Sequence, residues 1–299
     1  MKVHRVPSPE HVPDLLGAID RTVAQASASG ALQALETRSV AVGGALPYVV
    51  HWASALRHKQ ADQQAQQDET PRNPFLPYES ELHVADLAHT HVMLLNKFPV
   101  VPRHTLIVTR EFAEQTAVLD DADFCALATG MVQLDGLAFY NGGTTAGASQ
   151  THKHLQLVAD APIPLAGLFA SARGQAGVQT LEAFDFVHAF VALDRTAFGS
   201  VESARTQLRE AYTAACARCS LFPDQARMPP YNLLATRDWL LVVPRTAECW
   251  RHADIRISLN ALSFTGSIFV ARYEWISAVK QAGLAALLEA VTFARAPSA

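Results

Sequence analysis

The chain has 299 residues, 49% of them hydrophobic, enough for one large or two modest domains with a substantial core. A formal net charge of -4 argues against general nucleic-acid binding but leaves room for a local basic pocket that takes a phosphate-rich small molecule. Four cysteines do not make a disulfide scaffold at this length, and neither a signal peptide nor a bilayer-spanning apolar run is legible, so a cytoplasmic globular protein is expected.

In chain order, Ser8 followed by Pro9 and Glu10 fits an N-cap with proline in the first turn, predicting a peripheral helix over 9–26 that is disturbed at Pro13. Short β-like runs follow around Val42 and from Tyr48 to Trp52, and the glutamine-rich stretch 57–73, with no apolar period, reads as a mobile surface loop. Between Leu82 and Phe112, β-rich segments broken by Pro99 and Pro102 predict two neighbouring strands joined by a proline-stiffened turn. Residues 120–143 read as a helix that starts near Asp120 to Asp123 and ends before Gly142, and a strand carrying paired histidines follows. The pattern over 201–222 predicts a long helix on which Cys216 and Cys219 are buried thiols rather than half of a metal site. Two short strands hinged at Thr236 to Asp238 occupy 231–245. This order is not a regular βαβ alternation, so an α+β fold is expected, with a largely antiparallel sheet and helices packed on it.

The stretch NGGTTAGASQTHKHLQLV, Asn141 to Val158, is the most informative. In an extended chain His152, His154 and Gln156 share one face while Leu155 and Leu157 share the other and anchor the strand. The small residues from Gly142 to Gln150 offer backbone N–H groups that suit phosphate oxygens, although a polar strand edge after a glycine turn has the same composition. His-x-His also suits a metal, but two ligands are too few for a zinc site. Lys97 and Arg103 either steer an anion or are solvated charges at a strand end, and His89, His91 and His104 read as structural.

Together, NPFLPYE, LLNKFPVVPRHTLIVTREF, GASQTHKHLQLV, YNLLATRDWLLVVPR and LNALSFTGSIFV resemble, in that order, the diadenosine tetraphosphate phosphorylases, also called ATP adenylyltransferases. The His-x-His-x-Gln core marks only the histidine-triad superfamily, and the flanking segments narrow it. The resemblance implies a histidine-triad-like fold, with residues 1–175 carrying the catalytic core and 200–299 completing the sheet and nucleotide pocket as one integrated unit. It also implies a reaction in which diadenosine tetraphosphate and phosphate give ATP and ADP through an adenylylated histidine. By this resemblance His154 is the nucleophile, Gln156 contacts the reacting phosphate and His152 orients the site. Gly147, Ala148, Ser149 and Gln150 match the phosphate-contacting segment, Asn141 a substrate-contacting asparagine, and Asn96 with Lys97 a polar pair near the nucleotide. Lys59 matches an early phosphate-binding lysine, and Asn260, Ala261 and Leu262 match a substrate-binding tripeptide whose middle residue is usually serine. The chain departs from the family where Ser267 and Ala271 stand in place of a methionine and a lysine, with Arg272 as a neighbouring charge.

The implied partners are small nucleotides and phosphate, with a divalent cation, Mg²⁺, bound mainly through substrate phosphates; neither nucleic acid nor membrane is expected. A glutamine at 156 donates to a phosphate oxygen without exchanging a proton, which favours transfer over hydrolysis. The rival readings are another nucleotidyltransferase or dinucleoside polyphosphate hydrolase of the same superfamily, and a nucleotide sensor without turnover.

Overall fold

The structure, a computed structural model, describes residues 14–33, 37–53 and 73–296. The expected cap at Ser8, the glutamine-rich stretch up to residue 72, and Lys59 lie outside these residues. Helix α1 (Leu15–Ser29) starts at Asp14, whose carboxylate accepts the Gly17 N–H at 3.0 Å, and stops at Gly30 in the left-handed conformation.

Strands β1 (Thr37–Val42) and β2 (Tyr48–Ala53) form an antiparallel pair. The main sheet is built from β3 (His83–Leu87), β4 (His91–Leu95), β5 (His104–Thr109), β6 (Gly136–Gly142), β7 (His154–Ala159), β8 (Val178–Gln179), β9 (Ala189–Ala192), β10 (Tyr231–Ala235) and β11 (Trp239–Pro244). Its order is β3-β4-β5-β7-β6-β10-β11-β9-β8, antiparallel throughout, so strands from both ends of the chain share one sheet. As expected, β4 and β5 are neighbours joined by the proline-containing turn. A hairpin of β12 (Cys249–His252) and β13 (Ile255–Ser258) stands apart, and β14 (Ser267–Val270) pairs in parallel with β2.

The period-two alternation of the strands divides the core between two faces. Met93, Ile107, Tyr140, Leu155, Leu157 and Leu233 pack under α1, α2 (Asp121–Gln133) and α4 (Val201–Arg218). On the opposite face Phe139, Val158, Leu234 and Leu241 pack under α3 (Ala166–Ala172), α5 (Trp275–Glu289) and the small sheet. A second cluster on that face joins Phe75 to Val92, Leu94, Leu106 and Val108. In register, His154 sits beside Val108 and Gln156 beside Leu106 and Phe139, which puts both polar residues at the seam between the two clusters.

One expectation is corrected. Residues 120–143 are not a single helix: α2 ends at Gln133, Leu134 is extended at φ -112° and ψ 121°, and 136–142 is the central strand β6. From Leu137 to Tyr140 every position is apolar, so the period of two, with Phe139 and Tyr140 on opposite faces, is hidden. Gly136 is required there because a Cβ would lie 2.1 Å from the Val158 carbonyl oxygen. The long helix at 201–218 forms as expected, and burial pushes the thiols of Cys216 and Cys219 up to about 12.

A buried histidine away from the seam gives a stability prediction. The His188 ring donates from Nδ1 to the Phe186 carbonyl and accepts the Leu181 N–H at Nε2, both at 2.8 Å, and burial pulls its pKa down to about 4. The unfolded chain therefore binds a proton that the folded chain refuses, so this contribution is intact above about pH 6.5 and is lost as pH falls toward 4. Urea unfolding should show wild type losing about 3 kcal/mol more than His188→Gln between pH 7 and pH 4. Parallel pH profiles for the two proteins would refute it.

Candidate active site

The start of β7 is fixed from outside the sheet. Gln115 accepts the His154 N–H through Oε1 at 2.9 Å, while its Nε2 donates to the carbonyls of His154 at 3.1 Å and Asn141 at 2.9 Å. Between the two histidines, Lys153 points through to the helical face, where its Nζ donates to Asp123 at 2.8 Å and to the Val118 carbonyl at 3.1 Å. Burial alone would raise the Asp123 carboxyl, but hydrogen bonds from His91, Lys153 and the Asp120 N–H hold it below the ordinary carboxylate range. The strand is thus pinned on both faces next to its histidines.

The His154 side chain is buried, with its ring 5.4 Å from that of Phe75. Its Nδ1 lies 2.8 Å from the His152 carbonyl oxygen. A carbonyl only accepts, so Nδ1 carries the proton and the lone pair of the neutral ring is on Nε2. His152 is set by a similar argument. Asn73 Oδ1 accepts the Phe75 N–H at 3.0 Å, which turns the Asn73 amide nitrogen to His152 Nδ1 at 2.9 Å. Nδ1 is then the acceptor, and Nε2 donates to the Thr109 carbonyl at 2.9 Å. Burial lowers the His152 pKa, in keeping with a neutral ring. The ring is anchored on both sides, and the carbonyl of the same residue orients His154.

The third motif residue is oriented by a hydrogen-bond relay. Asn96 Oδ1 accepts the Phe98 N–H at 3.1 Å, so its amide nitrogen faces His104 Nδ1 at 3.2 Å. His104 Nε2 then carries the proton and donates to Gln156 Oε1 at 2.8 Å. With its oxygen held there, Gln156 presents its NH₂ as the donor. Asn96, expected near the nucleotide, acts here through His104, while Lys97 pairs with Glu79 at 2.7 Å at the surface.

The segment ahead of β7 is a short 3₁₀ turn, Thr144–Ala146, capped by Gly147 in the left-handed conformation at φ 89°. This alters the expected phosphate cradle. The N–H groups of Ala146, Gly147 and Ala148 are engaged within the turn, by the Gly143 or Thr144 carbonyls, so they are not the donors for a phosphate. Ser149 is exposed and Gln150 half-buried, as are Thr144 and Thr145 respectively, so the polar side chains of this segment face outward at both of its ends. Gly147 packs against Leu259 and Asn260. Asn141 Oδ1 accepts from Asn232 Nδ2 at 2.8 Å and from the Ala261 N–H at 3.0 Å, which fixes the orientation of its amide. Asn260 accepts the Leu262 N–H at 3.0 Å. Ala261 and Leu262 are buried and their N–H groups are engaged, so Asn260 is the polar side chain of this tripeptide. Ser267 and Ala271 are buried, and the Arg272 guanidinium lies 5.5 Å over the Trp275 ring.

The structure thus joins His154 directly to His152, holds Gln156 on the same strand through His104, and ties Asn141 to the 260–262 segment. Asn73, Gln115 and Asn232 complete the arrangement without having been singled out in the sequence. Asn73 and Asn96 share a local signal: each stands ahead of a proline-containing turn and accepts the N–H two residues on.

Two family profiles divide the chain between them: the Ap4A phosphorylase N-terminal domain over residues 8–170 and the ATP adenylyltransferase C-terminal domain over 182–294. The chain belongs to the Ap4A phosphorylase family. Diadenosine 5',5'''-P1,P4-tetraphosphate phosphorylase 2 of Saccharomyces cerevisiae is 29% identical over 252 residues, which are 75% of this chain and 76% of the yeast protein. Protein APA1 of the same organism is 27% identical over 261 residues, 79% of each chain. The crystal structure of yeast Ap4A phosphorylase Apa2 has the same fold, with a TM-score of 0.79 at 22% identity over 96% of this chain and 97% of that one. The structure of Apa2 in complex with Ap4A matches equally, at 0.79 and 23% identity over 95% and 99%. In this Ap4A phosphorylase family member the two matched halves meet in one sheet where β6 pairs with β10, one strand away from the β7 that carries His154.

Proposed function

We propose that this chain splits diadenosine tetraphosphate with phosphate into ATP and ADP, carrying the adenylyl group on Nε2 of His154. The observation that supports this most is the 2.8 Å bond from His154 Nδ1 to the His152 carbonyl, which defines one nucleophilic nitrogen. In the first half-reaction the Nε2 lone pair attacks an α-phosphorus, the bond from that phosphorus to its bridging oxygen breaks, and ATP leaves. The ring gains positive charge as the P–N bond forms, and the bond to the His152 carbonyl stabilises it. In the second half-reaction a phosphate oxygen displaces Nε2, ADP leaves and the neutral ring is restored. Gln156 donates its N–H to a non-bridging oxygen in both steps, and Asn141, Ser149, Gln150 and Asn260 supply further polar contacts to the substrate.

Mg²⁺ would be held mainly by the phosphate oxygens of the substrate, where it would offset their charge. Among the described residues no three His, Cys, Asp or Glu side chains gather as an ion cage. No helix among the described residues is long and apolar enough to cross a membrane, and we place the activity in the cytoplasm with its nucleotide substrates.

The test is chromatography of products from diadenosine tetraphosphate with and without phosphate. Equal ATP and ADP over many turnovers with phosphate, and without it no more ATP than one equivalent of protein, is the expected result; AMP formed without phosphate would make the chain a hydrolase, and no turnover with tight binding would make it a sensor. Gln156→His should raise the share of intermediate lost to water as AMP by about tenfold or more, because an imidazole exchanges a proton where an amide does not. An AMP share equal to wild type in a folded, adenylylating variant would refute that role for the glutamine.

A further inference from the structure

The YNLLATRDWLLVVPR segment ends on a charge that the reaction scheme leaves unused. Arg245 is 2% exposed. Its guanidinium donates to the carbonyls of Val291 at 3.1 Å, Ala146 at 3.3 Å, Ala247 at 2.7 Å, Glu248 at 3.4 Å and Leu259 at 2.9 Å, and to Asn232 Oδ1 at 2.5 Å. Every one of these acceptors is uncharged. The nearby Glu248 carboxylate is itself paired with Arg256 at 2.9 Å. Burial draws the Arg245 pKa down only to about 10, so the side chain stays cationic at neutral pH. A buried cation held by dipoles, by the Phe264 ring 5.4 Å away and by the longer-range pull of the Glu248 carboxylate, with no directly paired carboxylate among the described residues, is expensive, and an apolar residue would fill the space with less desolvation.

The placement of those bonds gives the charge a use. The Ala146 carbonyl directly precedes Gly147, the Leu259 carbonyl directly precedes Asn260, and Asn232 passes its amide hydrogens to Asn141 and to the Ala146 carbonyl. One guanidinium therefore backs three positions expected to face the substrate, drawn from both matched halves of the chain. On the reading of the site as one for nucleoside polyphosphates, we propose that Arg245 is a positioning residue that locks the 144–147 turn to the 260–262 segment. Its positive charge, held behind the site and only partly offset by the Glu248 carboxylate, favours the polyphosphate over the nucleoside.

A purely structural role would weaken all ligands alike, so the decisive readout is a ratio. Titration of the full chain with ATP and with adenosine gives the two dissociation constants for wild type, Arg245→Lys, Arg245→Met and Asn232→Asp. Arg245→Met should lose at least about tenfold in the preference for ATP over adenosine, since a charge in a poorly screened site acts on the phosphates and not on the nucleoside. Arg245→Lys should retain most of that preference. Asn232→Asp sets a carboxylate against the intact guanidinium, so it should lower the preference even if Arg245→Met does not fold. Parallel losses of ATP and adenosine affinity in the Arg245 variants, or an unchanged ratio in Asn232→Asp, would overturn the inference while leaving the nucleotide site standing. Failure of wild type to bind ATP would overturn the reading of the site and the inference with it.

Discussion

His154→Ala should reduce turnover of diadenosine tetraphosphate by about 10⁴-fold or more while the protein melts close to wild type. The loss is large because the substitution removes the atom that bonds to phosphorus, and no other imidazole in the motif replaces it: both nitrogens of His152 are held by Asn73 and Thr109. The fold should survive because what fixes this point of β7 is backbone. The His154 N–H and carbonyl are clamped by Gln115, and the strand pairs with β5 and β6 on either side. His152→Ala should cost less, about 10- to 100-fold, since the carbonyl that orients His154 remains while the ring that steadies it is gone. Steady-state kinetics with melting curves decide the matter, and His152→Ala as impaired as His154→Ala would shift the chemistry away from His154.

Gly147→Val is expected to destabilise the protein by about 2–4 kcal/mol and to remove most activity. The backbone there has φ 89°, and a Cβ would lie 2.8 Å from Asn260 Cβ and 2.9 Å from Asn260 Cα and the Leu259 oxygen. Two penalties add: a branched residue in the left-handed region, and a collision with backbone that cannot yield without moving Asn260. The cause is the junction between the turn and the 260–262 segment rather than crowding of a phosphate. Gly147→Ala should fall between wild type and valine, and Gly167→Ala, in open space on α3, should be neutral or slightly stabilising. Denaturant unfolding of the three variants checks the order, and a Gly147→Val protein of wild-type stability would contradict the packing described.

What the sequence disclosed and what it withheld follow from the range of the interactions. The alternation of His152, His154 and Gln156 against Leu155 and Leu157 is a local period, and the strand adopts it. The proline-broken pair β4 and β5 and the long helix α4 were legible for the same reason. The strand β6 was not, because a strand buried on both faces loses its alternation and follows directly on a helix whose apolar residues blend into it. Helix α5 also went unread: its apolar run is interrupted by Gly283 at φ 78°, which breaks the helical period. The supports of the site were out of reach for a different reason. Asn73 and His152, Gln115 and His154, and Asn232 and Asn141 are separated by 79, 39 and 91 residues, so each pairing exists only once the sheet has formed. Which N–H groups of the 142–150 run stay open is not legible either, because small residues signal an open backbone equally well when their N–H groups are bonded within a tight turn, as at 146–148.

The most direct test of the account is the covalent intermediate itself. The protein is mixed with diadenosine tetraphosphate in the absence of phosphate, quenched under mildly alkaline conditions that preserve a phosphoramidate, digested and mapped by tandem mass spectrometry. The account predicts the added mass of an adenylyl group on the peptide that carries His154, fragmenting to that residue, with ATP released in equal amount and the adduct discharged as ADP when phosphate is added. ATP release with no adduct, or an adduct on His152 or any other residue, would contradict it.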